Sequence, residues 1–530
     1  MAYVRTVKTA SGAWAVQIVH SSRRGSRDIE HIGSAHDDAA LEALKAVARQ
    51  RLAVGQPELD FGPDFAALQA GSGAGGGPLA ITSSRMGYLW DALGHAYQLL
   101  GFEEAAGGDE VFRLLVLARI VEPTSKLDSL RVVEEAGFDP PAYATLKRRL
   151  PAFAKESWRQ KLAAACARTA DLGPASLVLY DVSTLYFETD AGDGFREPGF
   201  SKERRLEPQI TIGLLTDASG FPLMVNAFEG NRGETTTMLP TIRAFMDAHQ
   251  LADVTVVADA GMISAANQQA IEAAGLSFIL GARIPDVPYV VQAWRHEHPD
   301  EQIPDGHIFT QPWPAGPKDQ RRDQIIYYQY RADRARRTLH GIDEQVAKAE
   351  QAVAGKTAVK RNRFIQLTGA TKSVNRTLEA KARALVGLKG YVTNLPDVTA
   401  EFVIDAYHRL FHIEKSFRMS KHDLRARPIY HHKRESIDAH LTVVFAALAV
   451  SRWIEQTTGW SIKKFVRTTR RYRTINIQAG EHTLTAVDPL PDDLRDALTR
   501  IHDRGGVRTK IGVSGTLVSR FRRPASGHQR

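Results

Sequence analysis

The chain of 530 residues holds a single cysteine, Cys166. One thiol excludes an internal disulfide framework and fits a reducing compartment. Long apolar runs are also missing. The longest, Leu441 to Val450, stops at Ser451-Arg452. It is too short to span a bilayer and predicts a buried helix, so no membrane partner is expected. Met1-Ala2-Tyr3-Val4-Arg5 leads straight into strand-like alternation without a secretory pattern. The 18 histidines include no His-Glu-x-x-His spacing, which argues against a histidine-based metal hydrolase. His408 and His412, at i and i+4, read as helix-surface residues. What is present is positive charge: a formal net +9 and a pI near 9.4 favour a polyanionic partner. The length and 43% hydrophobic content allow about three domains.

The pattern along the chain divides into segments. Residues 1–70 read as a small β-rich module, with strands at Tyr3–Val7, Trp14–Val19 and Asp28–Ile32 and a helix from Asp37-Asp38 to Ala53. The basic loop Ser21–Arg27 between its strands suits a DNA groove or a solvated face. Gly71-Ser72-Gly73-Ala74-Gly75-Gly76-Gly77-Pro78 marks a flexible linker, 71–82. Residues 83–172 read as a helical domain punctuated by Pro123, Pro140-Pro141 and Pro151, suited to binding DNA ends or to scaffolding. From Ser176 the pattern alternates. Strands at 176–187, 209–215 and 221–228 are followed by a helix at 234–248. A strand then ends at Asp259, a helix follows from Ser264, and a strand runs over 276–280. Three strands joined by short turns, then strand–helix–strand, is the order of an RNase H-like core. That predicts an α/β fold with a catalytic core over 173–284 and 388–460. Residues 285–387 read as an inserted basic subdomain facing nucleic acid, because 318–384 carries 16 Lys/Arg against 7 Asp/Glu. Residues 461–530 read as a basic C-terminal region, with Arg504–Arg530 disordered.

Three acidic residues stand out. Asp181 interrupts the apolar run Ser176–Val182, and Asp259 ends the run Val254–Ala258. Glu414 lies in a helical stretch. A carboxylate within a β-run is costly to bury unless a partner neutralises it. Carboxylates brought together from separate elements can hold divalent cations, and cations near DNA imply phosphodiester chemistry. Tyr407, Glu414, Arg418 and Lys421 fall at helical spacing on one face. The same spacing also suits an ordinary ladder of surface ion pairs. From 405 to 434 there are 8 Lys/Arg and 3 Asp/Glu, a balance that can track a DNA backbone.

With these residues in view, the chain resembles DDE transposases of bacterial insertion sequences, within the IS-four-like superfamily whose last acid sits in a Tyr-Arg-Glu-Lys signature. The resemblance covers about 175–455. Tyr180-Asp181-Val182-Ser183-Thr184 resembles the first acidic motif and Val256–Gly261 the second. Tyr391–Leu395 resembles the strand leading to the third. Tyr407, Glu414 and Lys421 match the signature. The position four residues before Glu414 is Leu410, with Arg409 adjacent instead of the usual Arg. The resemblance implies Asp181, Asp259 and Glu414 as catalytic and metal-binding residues. It implies two Mg²⁺ ions, replaceable by Mn²⁺, and DNA contacts from Tyr407, Arg409, Arg418 and Lys421. It further implies binding of terminal inverted repeats in double-stranded DNA, cleavage, and joining to target DNA. A dimer in the paired-end complex and a cytoplasmic, nucleoid-associated location follow as well. Trp294 and Trp313 are positioned to stack on a flipped base or to pack internally. Two alternatives stand beside this reading: an RNase H-like nuclease or resolvase without strand joining, and a catalytically silent DNA-binding protein.

Overall fold

The computed structural model describes residues 3–9, 13–19, 29–35, 38–53, 79–172, 176–188, 191–199, 206–233, 236–249, 251, 254–260, 265–315, 322–356, 362–368, 371–427, 429–431, 433–479 and 482–503. The chain divides into two compact units at Leu79/Ala80. In the first, β1 (Tyr3–Lys8), β2 (Trp14–Val19) and β3 (Ile29–Ala35) form an antiparallel sheet, followed by helix α1 (Asp38–Ala53). Val16, Ile18 and Ala48 are buried where α1 meets the sheet, flanked by Val4, Ile32, Leu41 and Leu44. The absent side chain of Gly33 makes room for Leu44, which a Cβ there would crowd at 2.9 Å. The loop 21–27 and the glycine run 71–78 lie outside the described residues.

The second unit opens with β4 (Ala80–Arg85), a paired strand rather than the end of the expected linker. Helices α2 (Gly87–Leu99), α3 (Phe102–Ala105), α4 (Glu110–Val121), α5 (Asp128–Glu135), α6 (Tyr143–Phe153) and α7 (Glu156–Ala170) follow. Asp109 caps α4, its carboxylate accepting the Phe112 amide at 2.9 Å. Next come β5 (Ser176–Tyr186), β6 (Gln209–Asp217), β7 (Pro222–Glu229), α8 (Met238–His249), β8 (Val254–Ala258), α9 (Ala265–Ala273) and β9 (Ser277–Ala282). Ser264, the expected cap of α9, lies outside the described residues. These five strands lie side by side in the order β7-β6-β5-β8-β9. β8 and β9 run parallel to β5, and β6 is antiparallel to both its neighbours. β8 is buried at every position, which is why Val254–Ala258 reads as an unbroken apolar run.

The stretch 285–387, expected as one inserted body, is divided by the structure. After α10 (Tyr289–Glu297), strands β10 (Ile308–Trp313) and β11 (Gln324–Tyr330) extend the central sheet. Helix α11 (Ala332–Val353), the hairpin β12 (Ile365–Thr368) and β13 (Thr371–Val374), and α12 (Arg376–Ala384) come next. Ile342, Val346, Ala349 and Phe364 form a separate apolar cluster among them. β14 (Leu388–Thr393) then pairs with both β9 and β11, completing an eight-stranded mixed sheet.

Helix α13 (Ala400–His408) and α14 (Leu410–Arg418) are separated by a single turn residue, Arg409, and a π-helical turn at Met419–Asp423 follows. The sequence pattern predicts one helix here; the structure breaks it at both ends of α14. Helix α15 (Arg434–Thr458) is long and apolar enough to span a bilayer, but 94% of that stretch is buried in the protein. It shares one apolar core with the sheet and with helices α2 to α7. Residues 461–503, expected only as a basic region, fold into α16 (Ile462–Thr469), β15 (Thr474–Ala479), β16 (His482–Val487) and α17 (Asp492–Asp503). β15 pairs with β4, and the Arg473 guanidinium donates to the Ser84 carbonyl at 2.8 Å, which ties chain segments distant in sequence together. Arg504–Arg530 lie outside the described residues.

Candidate active site

Asp181 sits at the middle of β5, opposite Leu214 of β6. Side chains alternate along a strand, so Asp181, Ser183 and Leu185 share one face and Tyr180 and Val182 the other. On that second face the buried Tyr180 hydroxyl donates to Thr237 Oγ1 at 3.0 Å, over the bare backbone of Gly213. The first face carries the site. Leu179 of β5 is in register with Val257 of the parallel strand β8. Two residues further along stand Asp181 in β5 and Asp259, the first residue past the end of β8, so continuing the register brings these two acids towards each other. Strands lie about 4.8 Å apart, which puts the two residues within reach of a shared ligand. Asp181 accepts the Val182 amide at 2.8 Å, and Asp259 the Ala260 amide at 2.8 Å.

Asp259 receives a second bond, from the Tyr407 hydroxyl of α13. Tyr407 is 4% exposed. Its hydroxyl fits because position 281 is glycine: a Cβ there would stand 2.8 Å from the phenol oxygen. Burial, and then the bond to Asp259, raise the Tyr407 pKa far above that of a free phenol. The hydroxyl therefore stays protonated and donates.

Lys389 of β14 completes this corner. Its ammonium lies 4.3 Å from the centre of the Tyr407 ring and 5.7 Å from that of Tyr391, and the two rings meet edge to face. Burial, followed by the nearby Arg334, lowers the Lys389 pKa, while Asp259 and Glu414 oppose that shift. Glu414 also acts on Tyr407. Tyr407 and Lys389 thus each feel the charges of Asp259 and Glu414. Lys389 was not among the residues singled out by sequence. The available signal was its place two residues before Tyr391, which puts a lysine on the same strand face as a buried tyrosine.

Glu414 is exposed on α14, whose opposite face is clamped. Ser416 Oγ donates to the Gly220 carbonyl at 2.6 Å in the β6–β7 turn. Gly220 holds φ +83, and a Cβ there would press on the His412 backbone. Lys415 pairs with Glu455 of α15 at 2.9 Å. On the strand side, Ser183 and Leu185 line an apolar cavity of about 40 Å³ with Phe417, Ser420 and Lys421. Helix α14 and its π turn therefore cross the β5 face that carries Asp181.

The structure thus sets Asp181 in β5 beside the end of β8, where Asp259 follows, joins Tyr407 to Asp259, and places Glu414 where its charge acts on Tyr407 and Lys389. Lys421 lies by the cavity beside the Asp181 face, and Arg418 is exposed at the end of α14. Arg409 is separated from them. It lines a different cleft of about 420 Å³ with His412, Ser176, Leu177 and the Asp217–Ser219 turn. Trp294 stacks on His298 with ring centres 4.7 Å apart, an internal packing role, while Trp313 is 43% exposed. Among the described residues, no three Asp, Glu, His or Cys side chains are grouped closely enough in this conformation to hold a metal ion. The donors at the site are carboxylate oxygens, which suit hard cations of the Mg²⁺ and Mn²⁺ kind.

Fold and site together define an α/β protein with acids presented by neighbouring parallel strands and a crossing helix. Residues 173–450, more than half of the chain and including all three acids, match the family of the transposase DDE domain; the chain belongs to that family. This membership supports transposase function and implies, in general, dependence on a divalent metal. Comparison with curated proteins returns no match. A cryo-EM structure of the piggyBac transposase synaptic complex with hairpin DNA is similar at 9% identity over 72% of this chain and 70% of that one, with a TM-score of 0.37. That likeness is too distant to assign residues.

Proposed function

We propose that the protein is the transposase of an insertion sequence in the IS-four-like group. It binds terminal inverted repeats in double-stranded DNA, cleaves at the element ends and joins them to target DNA. The observation that carries this reading is the parallel register that makes neighbours of Asp181 and Asp259, with Glu414 on the helix crossing the same face. The strand order β7-β6-β5-β8-β9 supports an RNase H-like core, with α11 to α12 inserted before the strand that leads to Glu414.

Two Mg²⁺ ions, replaceable by Mn²⁺, would be held by Asp181, Asp259 and Glu414 and would supply activation of the attacking oxygen and stabilisation of the leaving one. The remaining roles belong to this chain's own groups. Tyr407 fixes the orientation of Asp259 by donating to it. Lys389 offsets the repulsion between Asp259 and Glu414. Arg418 and Lys421 meet phosphates beside the site, and Arg409, in its separate cleft, meets DNA away from it. The paired-end complex is a dimer, and the protein acts on nucleoid DNA in the cytoplasm.

A strand-joining assay tests this. Purified protein with Mg²⁺ and a duplex carrying the element's ends should yield both cut ends and products joined to a target plasmid. Cutting without joining selects the nuclease or resolvase reading. Binding without either contradicts an active enzyme and favours a silent DNA-binding protein.

A further inference from the structure

Helix α16 has an unusual division of labour. Ile462, Phe465, Val466 and Thr469, at i, i+3, i+4 and i+7, are all buried. The helix starts at Ser461, whose hydroxyl accepts the Lys464 amide at 3.3 Å, and the Ile462 amide donates to buried Glu455 at 3.1 Å. The outward face and the turn after it carry four cations. Lys463, Lys464, Arg467 and Arg471 are exposed. No acidic residue occurs between Gln456 and Gly480. Among the described residues Lys463, Arg467 and Arg471 make no ion pair, and Lys464 rests its ammonium 3.7 Å from the Trp460 ring centre. Among the described residues, the ion-pair partner of Arg470 is Glu122, at 4.0 Å. Like charges held on one face repel, so this arrangement costs stability and calls for an external anion.

The stripe has a direction. Lys463 acts electrostatically on Asp423, in the π turn that also carries Lys421. The Ile462 amide at the start of α16 and Lys415, next to Glu414, both bond the Glu455 carboxylate, at 3.1 and 2.9 Å, so the cations of α16 begin close to the Glu414 helix. From Lys463 to Arg467 a helical rise covers about 6 Å, and Arg471 in the turn after α16 lengthens the stripe, which suits about three successive phosphates at about 3.4 Å per nucleotide of one strand. The apolar face of α16 is used up in packing, so the helix offers no apolar anchor of the kind a protein partner needs at an interface centre.

We propose that α16 and the turn after it form a second DNA-contacting surface, binding the phosphate backbone of duplex DNA that runs past the catalytic pocket, without reading its sequence. The proposal rests on the transposase reading for its partner, and deepens it by placing a backbone contact outside the acidic site.

The test uses the full chain and a fluorescent duplex of arbitrary sequence, about 30 base pairs long, titrated between about 50 and 200 mM salt. Each lost phosphate contact lowers the slope of log affinity against log salt by about 0.9. Lys463→Ala, Lys464→Ala, Arg467→Ala and Arg471→Ala combined should reduce the slope by about 3 and weaken binding at least about 10-fold at the lower salt. Lys463→Arg with Lys464→Arg should leave the slope as it was. If the fourfold variant does not fold, Arg467→Gln and Arg471→Gln singly should each cost about one unit of slope. An unchanged slope in folded variants, with cleavage by the unaltered protein intact, overturns this surface and leaves the transposase reading standing. Failure of the unaltered protein to bind duplex DNA at all overturns both.

Discussion

Asp181→Asn should lower DNA cleavage by at least about 10³-fold, some 4 kcal/mol of barrier, while duplex binding stays within a few-fold of the unaltered protein. The substitution keeps size and shape. The Asn carboxamide oxygen can still accept the Val182 amide that Asp181 accepts now, and the β5–β6 pairing through Leu214 does not involve the side chain. What is lost is one negative charge beside Asp259, the feature on which shared cation binding depends. The charges of Arg418, Lys421 and the α16 cations are untouched, so binding should persist. Single-turnover cleavage and a binding titration on the same preparation check this. Cleavage near the original rate would remove Asp181 from the chemistry.

Glu455→Ala should destabilise the second unit by about 3–5 kcal/mol. Glu455 and Arg452 are 6% and 4% exposed and pair at 3.1 Å on α15. Glu455 also accepts from Lys415 at 2.9 Å and from the Ile462 amide at 3.1 Å. Burial lowers the Arg452 pKa, with Glu455 the main opposing influence. Removing the carboxylate leaves a buried guanidinium whose remaining bond is to the Ser219 carbonyl, at 2.6 Å. The same change frees Lys415, one residue from Glu414, so cleavage should fall along with stability. Urea unfolding measures the first effect. Glu455→Gln, which keeps an acceptor for the Ile462 amide, should cost less. A loss under about 1 kcal/mol for Glu455→Ala would show that the pair does not anchor the Glu414 helix.

Much of the sheet was legible in the residues. The runs around Asp181, Ile212 and Val256 become β5, β6 and β8 close to their expected bounds, because β6 and β8 are buried along almost their whole length and β5 over Val178–Tyr180, which leaves apolar runs. The closeness of Asp181 and Asp259 was readable for a related reason: a carboxylate within or at the end of such a run needs a partner. Pairing across long separations was not readable. Nothing local in Gln324–Tyr330 shows that it lies between β10 and β14, so the central sheet is wider than expected and takes up part of 285–387. The fold of 461–503 was hidden by its charge, since the apolar face of α16 is only four residues. The break at Arg409 was equally invisible. Ideal helical spacing places Arg409 away from Glu414, and the structure puts it in a different cleft with His412.

The central claim is that acids distant in sequence act as one cation-binding pocket. Crystals of the protein with cleaved end DNA, soaked in Mn²⁺ and measured for anomalous scattering, test it most directly. The account predicts manganese peaks touching carboxylate oxygens of Asp181, Asp259 and Glu414, with Lys389 at the edge of the pocket. Manganese bound elsewhere, with Glu414 turned away from both aspartates while DNA is in place, would contradict it.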